Sequence, residues 1–72
     1  MAILFAVQGE YIQLDQLLKA TGLCDSGGSA HAAVAEGRVC VDGAVDTRKR
    51  AKLRPGQKVT IGDETVELTA AG

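Results

Sequence analysis

Among the residues of this 72-residue chain that could do chemistry, the cations lie closest together. Seven of the eight Lys and Arg residues fall between positions 38 and 58, where only two acidic residues accompany them. That part of the chain therefore carries +5 and the rest −6, an asymmetry that the net charge of −1 hides. A local basic patch attracts polyanions whatever the total charge. A basic loop that serves only solubility is the alternative.

The densest part is the run Arg48–Lys52, which we call the basic segment. Arginine offers phosphate a planar pair of donors, and lysine adds a mobile point charge. Beside a strand that bears Arg38, such a segment could follow a phosphate backbone. The only aromatic residues are Phe5, expected in the core, and Tyr11, so a stacking platform for single-stranded bases is not predicted. The pattern favours recognition of structured RNA by shape and phosphate contacts.

The residue types in the sequence give little support to an enzymatic function. His31 is the only histidine, and no nearby Ser or Cys has a carboxylate spaced to complete a catalytic set. The stretch Ser26–Ser29 could hold a phosphate on a helix N-terminus, but it lacks the Lys-Ser/Thr of a phosphate loop, and an ordinary capped helix start is favoured. Cys24 and Cys40 have neither metal-ligand nor disulfide-framework spacing. We expect no catalysis, cofactor, metal or small-molecule substrate.

Two short helices are predicted to position these residues. Leu14, Leu17 and Leu18 recur at helical spacing, which predicts about two turns running to Thr21 and ended by Gly22. A second helix is predicted to begin at Asp25 or Ser26 and to end at Gly37. Its inward row would be Ala30, Ala33 and Val34, and Leu23 would fill the space between the helices.

Strands account for most of the remaining chain. Extended pieces are predicted at Ala2–Gln8 and Glu10–Ile12, then at Arg38–Val41 with Val39 and Val41 inward, at Ala44–Val45, at Gln57–Ile61 and at Thr65–Thr69. Asp42-Gly43 predicts a tight hairpin turn, Pro55-Gly56 suits a type II turn, and a further turn is expected at Gly62–Glu64. The last three residues, Ala70–Gly72, are expected to be frayed.

The size of the chain predicts one domain over residues 1–72. No apolar run approaches the ~18 residues that would cross a bilayer. The apolar N-terminal stretch is short and lacks the basic region of a signal peptide. A cytoplasmic monomer that does not contact membranes is the resulting expectation.

The order of these motifs resembles a known family. It comprises Ile12-x-Leu14-Asp15-x-x-Leu18-Lys19, then Gly22-Leu23, Ser26, Ala30 and Glu36-Gly37-x-Val39-x-Val41-Asp42-Gly43, and closes with Leu53-x-Pro55-Gly56-x-x-Val59. This pattern is similar to the ribosomal-protein S-four-like, or alpha-L, RNA-binding domain, over residues 12–61. The chain looks most like the compact stand-alone bacterial group of YbcJ type.

The resemblance implies an α+β fold in which two helices pack on a small, mostly antiparallel sheet. It also implies non-catalytic binding of structured RNA, such as rRNA or tRNA, with a role at the ribosome. Family members typically carry Arg or Lys where this chain has Gln13, Gly27, His31 and Ala35, so we expect most contacts from the basic segment. The predicted RNA-binding residues are Lys19, Ser26, His31, Arg38, Arg48, Lys49, Arg50 and Lys52.

Two other classes remain open from the sequence. The segment Val39–Val45 also fits a ubiquitin-like sulfur-carrier protein of the β-grasp fold, which uses a C-terminal Gly-Gly and usually has one main helix, whereas this chain ends Ala71-Gly72. A protein-interaction module that uses an exposed sheet edge is the third class.

Overall fold

A computed structural model describes residues 2–71 of the chain. Two helices, α1 (Leu14–Ala20) and α2 (Gly27–Ala35), follow the first two strands. The strands are β1 (Ala2–Val7), β2 (Ile12–Gln13), β3 (Val39–Val41), β4 (Ala44–Val45), β5 (Lys52–Leu53), β6 (Lys58–Ile61) and β7 (Glu64–Ala70). The predicted α+β class is confirmed.

The strands form one main sheet and one small ribbon. The main sheet has the order β1-β7-β6-β3-β4, in which β1 runs parallel to β7 and every other pairing is antiparallel. The ribbon pairs β2 with β5 in antiparallel register, Ile12 opposite Leu53 and Gln13 opposite Lys52. The sheet is therefore mostly antiparallel, as the sequence predicts.

One hydrophobic core lies between the helices and the inner face of the sheet. Both predicted inward rows are buried, the leucines of α1 and Ala30, Ala33 and Val34 of α2. The sheet contributes Val39, Val59, Val66 and Leu68, each at most 3 % exposed. The small side chains of α2 permit the close approach to α1 that this core requires. Half-buried Leu23 packs against the core as predicted, but the buried residue between the helices is Cys24, which is 6 % exposed.

Turn residues adopt the conformations that the sequence predicts at two places. Gly37 has a φ of 74° and ends α2, since this left-handed conformation is unstrained only for glycine. Asp42 and Gly43 have φ values of 52° and 85°, as a tight hairpin between β3 and β4 requires. Asp42 is further fixed because its carboxylate accepts hydrogen bonds from the Lys58 N–H and the Gln57 amide.

Several predicted boundaries are wrong. The second extended piece was expected at Glu10–Ile12 but lies at Ile12–Gln13, because its partner β5 fixes where pairing begins. The third strand starts at Val39, since Arg38 donates its N–H to the carbonyl of Ala33 and belongs to the end of α2. β6 starts one residue later than predicted, and Glu64 belongs to β7 rather than to the turn.

Two errors come from long-range pairing. Ala70 was expected to be frayed but pairs with Val7, because β1 returns alongside the end of β7. No strand is predicted at Lys52, but it lies in β5 because β2 pairs with it. Gly72 lies outside the described residues. Within residues 2–71 the helices have 7 and 9 residues, and neither could cross a membrane.

Candidate nucleic-acid interface

The backbone of the basic segment is attached to the start of α1. The first N–H groups of a helix lack partners within it, and Gln13 supplies no side-chain cap here. Instead, the Leu14 N–H donates to the carbonyl of Ala51, and the Asp15 N–H donates to the carbonyl of Lys49, both at 2.9 Å. Ala51 is only 6 % exposed, which anchors the middle of the segment in the core. These contacts hold the backbone that carries the neighbouring cations in a fixed position.

A second contact brings α2 to the same place. Nε2 of His31 lies 3.0 Å from Oδ2 of Asp15, so the predicted site residue on α2 is joined to the first turn of α1. Burial of Asp15 raises the pKa of its carboxyl, but hydrogen bonds from His31 and from the Gln16 N–H, together with the charges of His31 and Arg50, lower it by more. The net effect is a lowered pKa for the Asp15 carboxyl. Asp15 therefore links His31 to the basic segment, a role that the sequence did not reveal.

The three consecutive cations of the segment have different surroundings. Arg48 forms a bidentate pair with Asp46, with Nε to Oδ1 at 3.1 Å and Nη2 to Oδ2 at 3.0 Å. The hydrogen bond from Arg48 lowers the pKa of the Asp46 carboxyl, and that carboxylate raises the pKa of the Arg48 guanidinium. Lys49 and Arg50 are exposed, and within residues 2–71 neither has an ion pair. Their charges are therefore available to an external anion.

Lys52 closes the segment in a different environment. Its Nζ lies 5.0 Å from the centre of the Tyr11 ring, which is 39 % exposed. The pairing of β2 with β5 brings these two residues together although 41 positions separate them. Only a prediction of that pairing could have identified Tyr11 as a neighbour of the cations.

Arg38 lies between the end of α2 and the start of β3, and its N–H donates to the carbonyl of Ala33. The N–H of Asp46 donates to the carbonyl of Val39 at 3.0 Å, so the chain that leads into the basic segment is bonded to the residue after Arg38. The guanidinium of Arg38 is 3.3 Å from Glu36, and both side chains are more than half exposed. Such an exposed ion pair is weak and can exchange for a phosphate.

Lys19 and Ser26 are not joined to the basic segment by any hydrogen bond or ion pair among the described residues. Lys19 is exposed in the last turn of α1, one helical turn beyond Asp15 and on the same face. The hydroxyl oxygen of Ser26 accepts the Ser29 N–H at 3.2 Å and caps α2, which decides between the two predicted caps. Contact of either residue with RNA stays a prediction.

An open depression of about 400 Å³ lies beside Arg48. The hairpin turn, Val45 and the Asp46–Arg48 pair line it. No group of three His, Cys, Asp or Glu side chains that could hold a metal ion occurs in residues 2–71. The depression is thus a surface feature at the border of the basic segment.

Comparison with known proteins identifies the family. The model of the S4 domain family matches residues 5–69, nearly the whole chain. The chain belongs to the S4 domain family. This confirms the resemblance that the motifs indicated, and together with the two helices it leaves the sulfur-carrier alternative without support.

Individual relatives agree with this assignment. The chain is 47 % identical over 60 residues to an Escherichia coli (strain K12) protein that carries the name "Putative RNA-binding protein YbcJ". The match covers 83 % of this chain and 86 % of that protein, and the Shigella flexneri protein YbcJ matches equally. The solution structure of E. coli YbcJ has a TM-score of 0.67 and 40 % identity, covering 96 % of this chain and 86 % of that one. It is described as revealing an alfaL motif involved in RNA binding.

Proposed function

We propose that this S4 domain protein binds structured RNA, such as rRNA or tRNA, without catalysis, through phosphate contacts made by the basic segment. The observation that carries the proposal is the exposure of two cations, Lys49 and Arg50. Both are exposed and free of ion pairs within residues 2–71, on a backbone that is hydrogen-bonded to α1. The YbcJ relatives, one of them named as RNA-binding, support the choice of ligand.

The fixed backbone favours binding because less freedom is lost when RNA arrives. A free loop would lose about 1–2 kcal/mol per residue on becoming ordered. Here Lys49 and Ala51 already accept hydrogen bonds from α1. Arg50 then supplies a planar pair of donors to phosphate, and Lys49 supplies a point charge.

Further predicted contacts surround this centre. In the proposal, Lys52 adds a contact from the β2–β5 ribbon, Arg38 adds one from the residue before β3, and His31 adds one from α2, where it is bonded to Asp15. Lys19 and Ser26 lie at its margin in the proposal. Phosphate contacts fix position and carry no base sequence, so the protein should select RNA by shape.

The proposal makes the protein a cytoplasmic monomer that associates with the ribosome. Analytical ultracentrifugation at micromolar concentration should give the mass of one 7.4 kDa chain. Ribosome sedimentation from cytoplasmic extract should carry part of the protein with it at low salt. A dimer, or a protein found only in the membrane fraction, would contradict this part.

The test of RNA binding is a titration of labelled tRNA and of an rRNA hairpin at two salt concentrations. Affinity should fall with salt, with a logarithmic slope of about −0.7 to −0.9 for each phosphate contact. The triple variant Arg48→Ala/Lys49→Ala/Arg50→Ala should bind more weakly to every RNA and show a flatter slope. Because binding is proposed to occur without catalysis, the RNA should be recovered at full length after the titration.

A matched control is Lys58→Ala, which removes a cation from β6 that lies 4.0 Å from Glu67. It should bind almost as wild type does, and circular dichroism should show that both variants are folded. Unchanged affinity in the triple variant would refute the site. Absence of binding by wild type at low salt would refute the function and favour a protein partner.

A further inference from the structure

One cation of the basic segment is held by an aromatic ring. The ammonium of Lys52 lies over the face of Tyr11 with 5.0 Å between Nζ and the ring centre, within the range of a cation–π interaction. Tyr11 is exposed, whereas the chain's other aromatic residue, Phe5, packs against the core. The tyrosine is therefore not needed to fill the core, and its observed contact is with a cation.

The β2–β5 ribbon fixes the geometry of this contact. Tyr11 directly precedes β2, whose Gln13 lies opposite Lys52. Side chains two residues apart on a strand share a face, so Tyr11 is the diagonal neighbour of Lys52 on the same side of the ribbon. The ribbon itself is anchored through Leu53, which is 1 % exposed. The ring thus stands on a ribbon that is anchored in the core, beside a side chain with many rotamers.

We propose that Tyr11 is a positioning residue that holds the ammonium of Lys52 for contact with an RNA phosphate. The inference rests on the proposed function, since it assumes that the basic segment binds RNA. A lysine side chain has many rotamers, most of which it loses when it binds a phosphate. The ring restricts the side chain before RNA arrives, so less of this freedom is lost on binding. Tyr11 needs no contact with RNA in this arrangement.

The test is a double-mutant cycle in RNA affinity at fixed salt. Tyr11→Leu should weaken binding about two- to fivefold, the range expected of an exposed cation–π contact, whereas Tyr11→Phe should keep wild-type affinity because it keeps the ring. In a Lys52→Ala background, Tyr11→Leu should have no further effect. In a Lys49→Ala background, the matched control, it should have its full effect.

Salt dependence supplies a second readout. Lys52→Ala should reduce the slope by about 0.7–0.9, because one phosphate contact is lost. Tyr11→Leu should lower affinity with the slope unchanged, because the contact still forms. If Tyr11→Leu weakens binding equally with and without Lys52, the tyrosine touches RNA or supports the fold, and the inference is wrong. Failure of wild type to bind would instead refute the proposed function.

A spectroscopic measurement covers the case in which Tyr11→Leu does not fold. In folded wild type, the ε-methylene protons of Lys52 should be shifted upfield by the ring, and the shift should persist when RNA is bound. Normal shifts in the free protein, or loss of the upfield shift on RNA binding, would overturn the inference.

Discussion

Single substitutions of Arg48 and Arg50 should have different effects on RNA affinity, although the two arginines have similar neighbours in the sequence. Asp46 holds the Arg48 guanidinium by two hydrogen bonds of 3.1 and 3.0 Å, and a phosphate must compete with that carboxylate. Arg50 has no ion pair among the described residues. Of the two arginines, only Arg50 should therefore make a full phosphate contact.

The magnitude follows from counterion release. Each phosphate contact contributes about 0.7–0.9 to the slope of log affinity against log salt, which is about threefold in affinity over a fourfold change in salt. Arg50→Ala should reduce the slope by that amount, and Arg48→Ala by less than about half of it. Fluorescence anisotropy of a labelled RNA hairpin, titrated at four salt concentrations, measures both slopes.

Asp46→Asn is the matched control. It keeps an oxygen that can accept the Arg48 N–H but removes the charge that holds the guanidinium. In the Asp46→Asn background, Arg48→Ala should reduce the slope by the amount of one full phosphate contact, about as much as Arg50→Ala does. Equal effects of Arg48→Ala and Arg50→Ala in the otherwise wild-type chain would refute the reasoning from the Asp46 pair. No effect of Arg50→Ala would refute the phosphate contact itself.

Three further predictions concern folding. Leu17→Ala should lower the free energy of unfolding by about 2–5 kcal/mol, measured by urea denaturation, because the side chain is fully buried; a loss below about 1 kcal/mol would contradict its place in the core. Gly37→Ala should cost about 1–2 kcal/mol, since its φ of 74° is unfavourable for alanine, and an unchanged midpoint would show that α2 ends differently. Asp15 has a lowered pKa in the folded state, so its contribution to stability is present above its ordinary value of 3.8 and lost as pH falls through the folded value. Asp15→Asn should therefore narrow the difference in the free energy of unfolding between pH 6 and pH 3, and identical pH profiles would show that the fold does not lower the pKa of Asp15.

Local signals were sufficient for most of the architecture. Leucine spacing, a capping serine and left-handed turn residues each act over a few positions, so α1, α2 and the hairpin around Asp42-Gly43 could be predicted. Elements that depend on distant partners could not. β5 exists because β2 pairs with it, and β7 extends to Ala70 because β1 lies alongside it.

The same distinction applies to the candidate site. Clustering of charge is visible in the sequence, so the basic segment was found. The surroundings of each cation depend on the fold. Asp46 forms an ion pair with Arg48, the Tyr11 ring contacts the ammonium of Lys52, and Asp15 is hydrogen-bonded to His31. Composition could therefore indicate the candidate site but could not rank its residues.

RNA binding by the basic segment is tested most directly by an NMR titration of the labelled wild-type protein with a structured RNA. Chemical-shift changes should concentrate on the backbone amides of residues 48–52, on Asp15 and on the ring of His31. The exposed side of β1, marked by Leu4 at 72 % exposure, should be unaffected. Chemical-shift changes centred on β1, with none in the basic segment, would show that the basic segment does not bind RNA.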